Sequence, residues 1–373
     1  MRALVLVGGK ATRLRPLTEY TPKAMAPVLG RPFLEHVLAW LVRYDVRDVT
    51  LLLGFLPGPI RTHFGDGHRF GVKLSYVFEH EPLGSGGAIK QLEADLDQPF
   101  FALNGDIFTD LNLDAMLADH RSADAAVSIA LTPVDDPSAY GVVSLDDYHR
   151  IRSFVEKPSA GEAPSNLANA GVWLFDPSAV QRIAPAQFTM VERDLFPVLA
   201  AEGQLHGFTG EASYWIDAGT PDRYLQLQRD LLAGQAAGAL ALVEQPGWPG
   251  IIVRGSVGED AEEDRTPVLG DRTRLTGSVV LGSGVATGDG CLIEGPTTVG
   301  ARTTLGRGVK LRDSIIWNDS RIDDDAAVIS SILAHGCHIG AAARVENCIL
   351  GERVTVPPGV HLTGRSLDAG TSV

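Results

Sequence analysis

The chain has 373 residues, of which 45% are hydrophobic and 21% are charged, and its formal net charge at pH 7 is −14. This composition is typical of a globular protein with a sizeable core, organised as one large or two ordinary domains. The excess of acidic residues argues against a protein that binds nucleic acids or anionic membranes in general, so we expect neither as a partner.

Targeting and redox signals are weak in this sequence. The apolar run Leu4–Val7 is too short for a signal peptide or a membrane span, and no later stretch reaches the roughly 18 apolar residues that a span needs. The three cysteines, Cys291, Cys337 and Cys348, show no CxxC spacing. We therefore expect a cytoplasmic protein without a structural disulfide.

Residues 1–233 alternate short apolar runs with amphipathic segments. The runs predict buried strands at Leu4–Val7, Val49–Leu53, Leu74–Phe78 and Phe100–Leu103. The segments between them predict helices at Pro32–Arg43, Ile60–Phe64, Gly87–Ala94 and Asp114–Arg121. This alternation predicts an α/β fold, a Rossmann-like and mostly parallel sheet with helices on both faces. Ligands of such sheets bind beyond the carboxyl ends of the strands.

The composition changes after residue 233. Residues 234–262 begin with a stretch rich in Gly, Ala and Pro and run into the acidic segment 258–264. We interpret 234–262 as a connection between two domains, and the acidic segment as solvated surface.

Residues 263–373 contain a six-residue repeat of aliphatic positions. Six steps of about 100° do not return to one face of an α-helix, whereas a three-sided coil of short strands can point every sixth side chain inward. The repeat therefore predicts a parallel β-helix. One six-residue register, interrupted by Thr287, comprises Leu269, Leu275, Leu281, Ile293, Val299, Leu305 and Leu311. The pattern continues, with slips of five, at Ile322, Val328, Leu333, Ile339, Val345, Leu350 and Val356.

The first strand leads into a glycine-opened, basic loop. Residues 1–31 hold six Lys or Arg residues and one acid, Glu19. Gly8 and Gly9 would let backbone N–H groups approach a phosphate closely, while Arg13 and Lys23 would supply cations. On charge alone a solvated surface explains the patch equally well. The patterns GxxxxGK[ST] and GxGxxG are absent here, so the loop is neither a P-loop nor a dinucleotide-binding fingerprint.

Polar residues follow later strands as well. Asp106 comes directly after the run Phe100–Leu103, Lys157 ends a short apolar run, and Asp217 precedes a Gly-Thr-Pro helix start. Two aspartates from separate strands can share a Mg²⁺ ion that also binds phosphate oxygens. A single Asp in such a place is more often a helix cap, so the prediction of a metal site depends on the joint arrangement.

These motifs together resemble the sugar-phosphate nucleotidyltransferases, and most closely the mannose-1-phosphate guanylyltransferase branch that carries a C-terminal left-handed β-helix. The resemblance covers nearly the whole chain. Its motifs are GGKATRLRPLTEYTPKAM (8–25), EPLGSGGAI (81–89), NGD (104–106), EKP (156–158), NAG (169–171) and WIDAGTPDRY (215–224).

The resemblance implies that a sugar 1-phosphate attacks the α-phosphorus of a nucleoside triphosphate and releases pyrophosphate, with GTP and mannose 1-phosphate as the favoured pair. It implies Arg13, Lys23 and Lys157 as the catalytic cations and Mg²⁺ as the cofactor, held by Asp106 and Asp217. The implied nucleotide-binding residues are Leu6, Gly8, Gly9, Thr12, Arg13, Lys23, Glu81, Leu83, Gly84, Gly87, Asn104 and Asp106. The implied sugar-phosphate-binding residues are Gly141, Glu156, Lys157, Asn169, Ala170 and Asp217.

One residue departs from the family pattern. The third glycine of the opening loop is Ala11 here, whose methyl group would crowd a triphosphate or demand a negative φ. Two alternatives stay open: the same reaction with another pair (dTTP or UTP with glucose 1-phosphate, GTP with heptose 1-phosphate), or a non-catalytic regulatory subunit that binds a nucleotide sugar. Because a β-helix offers an open coil end and flat faces, we also expect a homodimer or higher homo-oligomer through residues 263–373.

Overall fold

The computed structural model of the protein describes residues 1–79, 81–159, 161–210, 214–236, 244–245, 248–253 and 266–373. The chain forms two compact units. The first unit combines Met1–Gly9 with Val37–Ile216, and the second combines Lys10–His36 with Asp217–Val373. The opening loop thus belongs to the same unit as the C-terminal part of the chain. This grouping differs from the domain boundaries predicted from the sequence, 1–233 and 263–373, which remain a prediction.

The first unit is built on a nine-stranded sheet. We label its strands in chain order: β1 Arg2–Val7, β2 Asp48–Leu53, β3 Lys73–Phe78, β4 Phe100–Asn104, β5 Val127–Pro133, β6 Gly141–Leu145, β7 Ile151–Glu156, β8 Leu167–Phe175 and β9 Leu205–Phe208. The order is β7-β6-β8-β4-β1-β2-β3, with β5 pairing both β8 and β9. The run β4-β1-β2-β3 is parallel, as expected for the four predicted strands. The prediction that all four are buried is wrong for β3, because Leu74 is buried but Ser75 and Phe78 are exposed. Around β8 the pairing with β4, β5 and β6 is antiparallel.

Helices accompany the strands. Their bounds are α1 Phe33–Arg43, α2 Pro57–Phe64, α3 Gly84–Lys90, α4 Leu113–Ala123, α5 Pro177–Gln181, α6 Phe196–Ala201 and α7 Pro221–Leu232. The first four overlap the four predicted helices, although α3 begins at Gly84 and ends at Lys90 instead of spanning Gly87–Ala94. Local capping explains two starts: Asn112 Oδ1 accepts from Ala115 N–H at 3.0 Å before α4, and Thr220 Oγ1 accepts from Arg223 N–H at 3.4 Å before α7. Of the described helices, none is long and apolar enough to cross a membrane.

Short elements complete the connections. Single 3₁₀ turns occupy Thr12–Leu14, Lys23–Met25, His68–Phe70, Glu93–Asp95 and Pro137–Ala139, and a π-helical turn occupies Val191–Leu195. Short paired strands lie at Pro27–Val28 with Arg31–Pro32 and at Ile107–Thr109 with Trp215–Asp217. The core of the first unit lies on the sheet, where the rings of Phe100 and Phe175 stack with centroids 5.5 Å apart.

The second unit contains the β-helix, whose strands form three parallel sheets consistent with the left-handed form. The first sheet holds Trp248–Val253, Val279–Leu281, Thr297–Val299, Ile315–Ile316, Ile332–Leu333, Ile349–Leu350 and Ser366–Leu367, with Glu244–Gln245 antiparallel at its edge. The second holds Arg274–Thr276, Leu292–Glu294, Lys310–Arg312, Ala327–Ile329, Arg344–Glu346 and His361–Thr363. The third holds Ala286–Thr287, Thr304–Leu305, Arg321–Ile322, His338–Ile339 and Thr355–Val356.

The aliphatic repeat forms the inside of this coil. From Leu281 through Val356 its members are buried in one hydrophobic cluster, while Leu269 and Leu275 are partly buried at the first coil. Thr287 is buried as well, and its hydroxyl oxygen accepts from Gly270 N–H at 3.0 Å, so the interrupting residue is hydrogen-bonded. All three cysteines are buried free thiols.

Part of the predicted connection forms strands, because Glu244–Gln245 and Trp248–Val253 extend a β-helix sheet. The acidic segment 258–264 lies outside the described residues.

Candidate functional site

The first unit has an open pocket of about 460 Å³ at the carboxyl ends of its parallel strands. We call it the sheet-edge pocket. Residues predicted for nucleotide and sugar phosphate line it from several chain segments: Leu6, Gly8, Gly9, Gly84, Asn104, Asp106, Gly141, Glu156, Lys157 and Asn169. It is also lined by residues that sequence reasoning did not select: Leu52, Glu79, Pro82, Ser85, Ala88, Ala139, Tyr140, Phe188, Met190 and Glu192. Glu81, Leu83, Gly87 and Ala170 are described but lie outside this lining.

Gly8, which follows β1, packs closely against Gly54 and Glu79 at the strand ends. A Cβ at Gly8 would lie 2.9 Å from Glu79 Oε2, and a Cβ at Gly54 would lie 2.6 Å from Gly8 O. Phe55 N–H donates to Gly8 O at 3.2 Å, which ties the two segments together. The close approach of the Gly8 backbone therefore requires glycine at position 54, whereas a Cβ at Gly8 would come within 3 Å only of the end of the Glu79 side chain.

Glu79 follows β3 directly and brings a carboxylate to the pocket. Leu83 N–H donates to its Oε1 at 3.2 Å, and burial raises its pKa above the ordinary range, with that hydrogen bond acting in the opposite direction. The rule that selected Asp106, a polar residue directly after a predicted strand, would also have selected Glu79.

The glycine-rich start of α3 packs against residues 187–190. Gly84 has φ +73°, and a Cβ there would lie 2.5 Å from Thr189 O. The N–H groups of Gly86 and Gly87 both donate to that oxygen, at 2.8 and 3.2 Å, and Thr189 N–H donates to Leu83 O at 2.9 Å. These contacts bring the neighbouring Phe188 and Met190 to the pocket lining.

Asn169 has a fixed orientation in the pocket wall. Its Oδ1 accepts from Gly171 N–H and from the indole Nε1–H of Trp173, each at 2.9 Å. Two N–H donors identify that atom as the oxygen, which leaves the two Nδ2 hydrogens as the group that the side chain offers. Such a donor suits a hydroxyl or phosphate oxygen of a ligand.

Glu156 ends strand β7 beside Gly141, and Lys157 follows it directly. Lys157 has φ +49°, its N–H donates to Tyr140 O at 2.9 Å, and its Nζ lies 3.7 Å from Glu156 Oε1. The lysine side chain is 60% exposed, so its ammonium group is accessible to a ligand. A Cβ at Gly141 would clash with Cζ of the buried Phe154 ring, which explains glycine at this position.

Ala170 and Trp215 interact with each other in the fold. Trp215 Nε1–H donates to Ala170 O at 2.8 Å, and the Trp215 ring meets Tyr140 edge to face with centroids 5.5 Å apart. Tyr140 then lines the sheet-edge pocket, while Ala170 does not. The carbonyl of Ala170 is thus already engaged by an indole.

Glu192 brings a further carboxylate from the π-helical turn. Ser85 Oγ donates to its Oε2 at 2.7 Å and in turn accepts from Val191 N–H at 2.9 Å. Burial raises the pKa of Glu192, and the nearby Glu156 carboxylate raises it further. No pattern in the sequence marks this residue, because its place depends on a turn that pairs with residues far away in the chain.

The second unit holds a compact cluster of two cations around one carboxylate, which we call the cation cluster. Arg13 Nη2 and Lys23 Nζ lie 3.4 Å from Oδ2 and Oδ1 of Asp217, respectively. Lys23 is only 8% exposed, whereas the Arg13 side chain is 62% exposed. A Cβ at Gly219 would lie 2.8 Å from both Arg13 Nη2 and Asp217 Oδ1, so a side chain there would displace the charged groups of the cluster.

Ala11 adopts the left-handed conformation, with φ +45° and ψ +44°. The expectation that its methyl group would demand a negative φ is therefore wrong. The conformation persists because the Ala11 carbonyl accepts two hydrogen bonds, from Leu14 N–H at 3.0 Å and from Thr18 Oγ1 at 2.9 Å. A non-glycine residue here carries backbone strain.

The two predicted metal ligands lie in different compact units, Asp106 in the first and Asp217 in the second. Within the described ranges, no group of three or more His, Cys, Asp or Glu side chains is placed to hold a metal ion. Mg²⁺ is usually held by one or two carboxylates together with substrate phosphates, so the donor chemistry of Asp106 in the sheet-edge pocket fits such an ion.

Comparison with known families gives two matches along the chain. Residues 2–234 match the nucleotidyl transferase family, and residues 270–367 match the GMPPB C-terminal domain.

Similar proteins extend over most of the chain. A mannose-1-phosphate guanylyltransferase of Mycobacterium tuberculosis is 34% identical over 86% of this chain and 81% of its own length. A mannose-1-phosphate guanylyltransferase catalytic subunit beta of Danio rerio is 32% identical over 98% of this chain and 95% of its own. A solved structure titled as a putative glucose-1-phosphate thymidylyltransferase of Bacillus anthracis shares the fold, with a TM-score of 0.58 and 23% identity over 65% of this chain and 98% of that one.

Proposed function

The chain belongs to the nucleotidyl transferase family, and on that premise we propose that it transfers a guanylyl group from GTP to mannose 1-phosphate, giving GDP-mannose and pyrophosphate. The observation that carries the proposal is the sheet-edge pocket, where motif residues of several distant segments meet. The choice of guanine and mannose is supported by the names of relatives that cover 86% and 98% of this chain.

The reaction needs no protein nucleophile. A phosphate oxygen of the sugar 1-phosphate forms a bond to the α-phosphorus, and the bond from the α-phosphorus to the bridging oxygen of pyrophosphate breaks. Catalysis then depends on positioning and on charge stabilisation. Lys157, with its exposed ammonium group, holds the sugar phosphate, and Asn169 and Glu156 bind sugar hydroxyls.

The nucleotide is assigned to the other side of the same pocket. Gly8 and Gly9 offer backbone N–H groups, and Phe188, which is 63% exposed, offers an apolar surface to a base. Arg13 and Lys23 stabilise the negative charge that develops on the leaving pyrophosphate; this role comes from the family resemblance.

Members of this family generally use a divalent metal. We propose Mg²⁺ for this chain, with Asp106 as a ligand; Asp217 stays a predicted ligand. When bound, the ion neutralises charge on the phosphates. The carboxylates that line the pocket repel a triphosphate that has no bound metal ion. Binding of the nucleotide would therefore depend on Mg²⁺.

A pyrophosphate-release screen tests the proposal. GTP, dTTP, UTP, ATP and CTP are each combined with mannose 1-phosphate or glucose 1-phosphate in Mg²⁺, using wild type, Lys157→Ala and the exposed control Lys310→Ala. Release with GTP and mannose 1-phosphate, lost in Lys157→Ala and kept in Lys310→Ala, is expected. Release with another pair would correct the substrates. If no pair released pyrophosphate but calorimetry detected binding of GDP-mannose, the chain would be a non-catalytic regulatory subunit instead of an enzyme.

We also propose that the chain acts in the cytoplasm and self-associates through residues 263–373. Light scattering at micromolar concentration should give at least twice the 39.7 kDa of one chain. A monomer under those conditions would contradict the assembly and leave the reaction untouched.

A further inference from the structure

The segment Lys10–His36 is held by the second unit through two sets of contacts. It carries Arg13 and Lys23, yet it clusters with Asp217–Val373 rather than with the strand and helix that flank it in the chain. The contacts that hold this segment are therefore long-range in the chain, and they determine how firmly Arg13 and Lys23 are held.

The inner anchor binds the backbone around Pro27 and Leu29. Gln228 of α7 uses both ends of its amide: Nε2 donates to Pro27 O at 3.1 Å, and Oε1 accepts from Leu29 N–H at 3.2 Å. Tyr224, one turn earlier on α7, also donates its hydroxyl to Pro27 O.

The β-helix fixes the two α7 side chains of this anchor. Trp317 Nε1–H donates to Tyr224 Oη at 3.1 Å, and Thr298 Oγ1 donates to Gln228 Oε1 at 3.0 Å. All four side chains are at most 2% exposed, so water cannot easily replace these hydrogen bonds. The inner anchor thus connects the segment to the β-helix through α7.

The outer anchor binds residues 19–21 directly to the last coils of the β-helix. Thr21 Oγ1 donates to Glu352 Oε1 at 2.6 Å, and the Arg353 guanidinium lies 5.6 Å from the centroid of the Tyr20 ring. Ala369 N–H donates to Glu19 Oε2 at 3.4 Å. Thr21 is two residues before Lys23, and Pro22 between them is rigid in φ.

We propose that the β-helix is a positioning element for nucleotidyl transfer, and that Glu352 is a positioning residue that fixes Lys23 through Thr21. The proposal rests on the proposed function, in which Lys23 stabilises the leaving pyrophosphate. A cation must be held close to its productive geometry to act, and a displacement of about 1 Å far from the chemistry can cost up to about 100-fold in rate. The β-helix, apart from any role in self-association, supplies that rigidity.

Steady-state kinetics of four variants test the proposal. Glu352→Ala and Thr21→Val each remove one partner of the hydrogen bond, while Glu352→Gln keeps an acceptor oxygen. Asp324→Ala is the matched control, because the Asp324 carboxylate pairs with Arg307 on the same β-helix. Kinetic constants for GTP and mannose 1-phosphate are measured together with the melting temperature.

We expect Glu352→Ala and Thr21→Val to lower kcat/KM for GTP about 10-fold at an unchanged KM for mannose 1-phosphate. Glu352→Gln should recover most of the rate, and Asp324→Ala should equal wild type. The double variant Thr21→Val/Glu352→Ala should be no slower than either single variant, since both remove one interaction. Wild-type kinetics in Glu352→Ala, or an equal loss in Asp324→Ala, would overturn the proposal.

Hydrogen exchange separates this inference from the proposed function. Peptides covering residues 10–26 should exchange faster in Glu352→Ala than in wild type and Asp324→Ala, whether or not the protein turns over any substrate pair. If wild type proves inactive, the proposed function fails. Unchanged exchange in these peptides would overturn the positioning role by itself.

Discussion

The sheet-edge pocket of the first unit and the cation cluster of the second unit carry opposite charge. The pocket is lined by the carboxylates of Glu79, Asp106, Glu156 and Glu192, with Lys157 beside them. The cluster places Arg13 and Lys23 around Asp217. An acidic pocket suits sugar hydroxyls and a metal ion, whereas two cations on one carboxylate suit a polyphosphate.

The two sites also differ in how they are held. Pocket residues lie at strand ends that approach each other through glycines, such as Gly8 against Gly54. The segment that carries the cation cluster is held by side-chain hydrogen bonds to α7 and to the β-helix. Substitutions in the pocket should therefore act through local packing, whereas substitutions in α7 or the β-helix should change the positions of Arg13 and Lys23 from a distance.

The largest effect is expected from the metal and its proposed ligand. Chelation by EDTA should abolish pyrophosphate release and added Mg²⁺ should restore it. Asp106→Asn should lower kcat by about 10²–10³-fold, the size of a lost electrostatic contact to a transition state. Asp97→Asn, which changes an exposed carboxylate of the same unit, is the control. Full activity in EDTA would remove the metal from the account, and full activity in Asp106→Asn would remove Asp106 as its ligand.

Trp173→Phe tests whether core packing orients Asn169. Losing the indole N–H removes one of the two donors on Asn169 Oδ1, which should raise KM for mannose 1-phosphate about 5-fold. Trp40→Phe is the matched control, since Trp40 is also buried and donates to Leu111 O at 2.9 Å. Both variants should lose about 1 kcal/mol of unfolding free energy. An equal change of KM in both would show a general loss of stability instead.

Ala11→Gly addresses the strained residue of the opening loop. Glycine accepts φ +45° without the Cβ clash, so the unfolding free energy should rise by about 1 kcal/mol at unchanged or higher kcat. Ala118 is an exposed residue in the middle of α4. Ala118→Gly should lower the unfolding free energy by a similar amount, because glycine costs about 1 kcal/mol in a helix. Denaturant titration measures both. A loss of stability in Ala11→Gly would show that the methyl group packs favourably.

The smallest effect is expected from the pH dependence of Glu192. Its pKa is raised in the folded state, so the carboxylate form opposes folding once the pH rises through that pKa. Glu192→Gln should therefore raise the melting temperature at pH 7–8, and the gain should disappear as the pH falls below the ordinary range for Glu. Glu202→Gln should lower the melting temperature at pH 7–8, because the hydrogen bond from Arg182 lowers the pKa of Glu202 and its carboxylate form stabilises the fold. A gain in Glu192→Gln that is equal at all pH values would contradict this origin.

The sequence predicted regular elements well because their signals are local. Strands β1, β2 and β4 contain apolar runs, and the aliphatic repeat recurs in every coil from Leu281 to Val356. Several features were not predictable. The antiparallel pairing around β8 and the placement of Glu192 depend on residues far apart in the chain. The positive φ of Ala11 depends on Thr18 and Leu14, which donate two hydrogen bonds to the Ala11 carbonyl.

The candidate site shows the same division. Motif spacing selected Gly8, Asp106, Lys157 and Asn169, which line one pocket. It did not select Phe188 or Met190, since only the packing of residues 187–190 on the α3 glycines brings them there. Nor does any pattern show that residues 10–36 join the C-terminal unit, because Thr21 and Glu352 are 331 positions apart.

The most direct test of the two-site account is a pair of binding titrations on Lys23→Ala and Lys157→Ala, with Lys310→Ala as control. Calorimetry measures Kd for GTP in Mg²⁺ and for mannose 1-phosphate separately. The account predicts that Lys23→Ala weakens GTP alone and that Lys157→Ala weakens mannose 1-phosphate alone, each at least 10-fold, with Lys310→Ala unchanged. If either variant weakened both ligands equally, or if the two effects were exchanged, the assignment of triphosphate and sugar phosphate to these two lysines would be wrong.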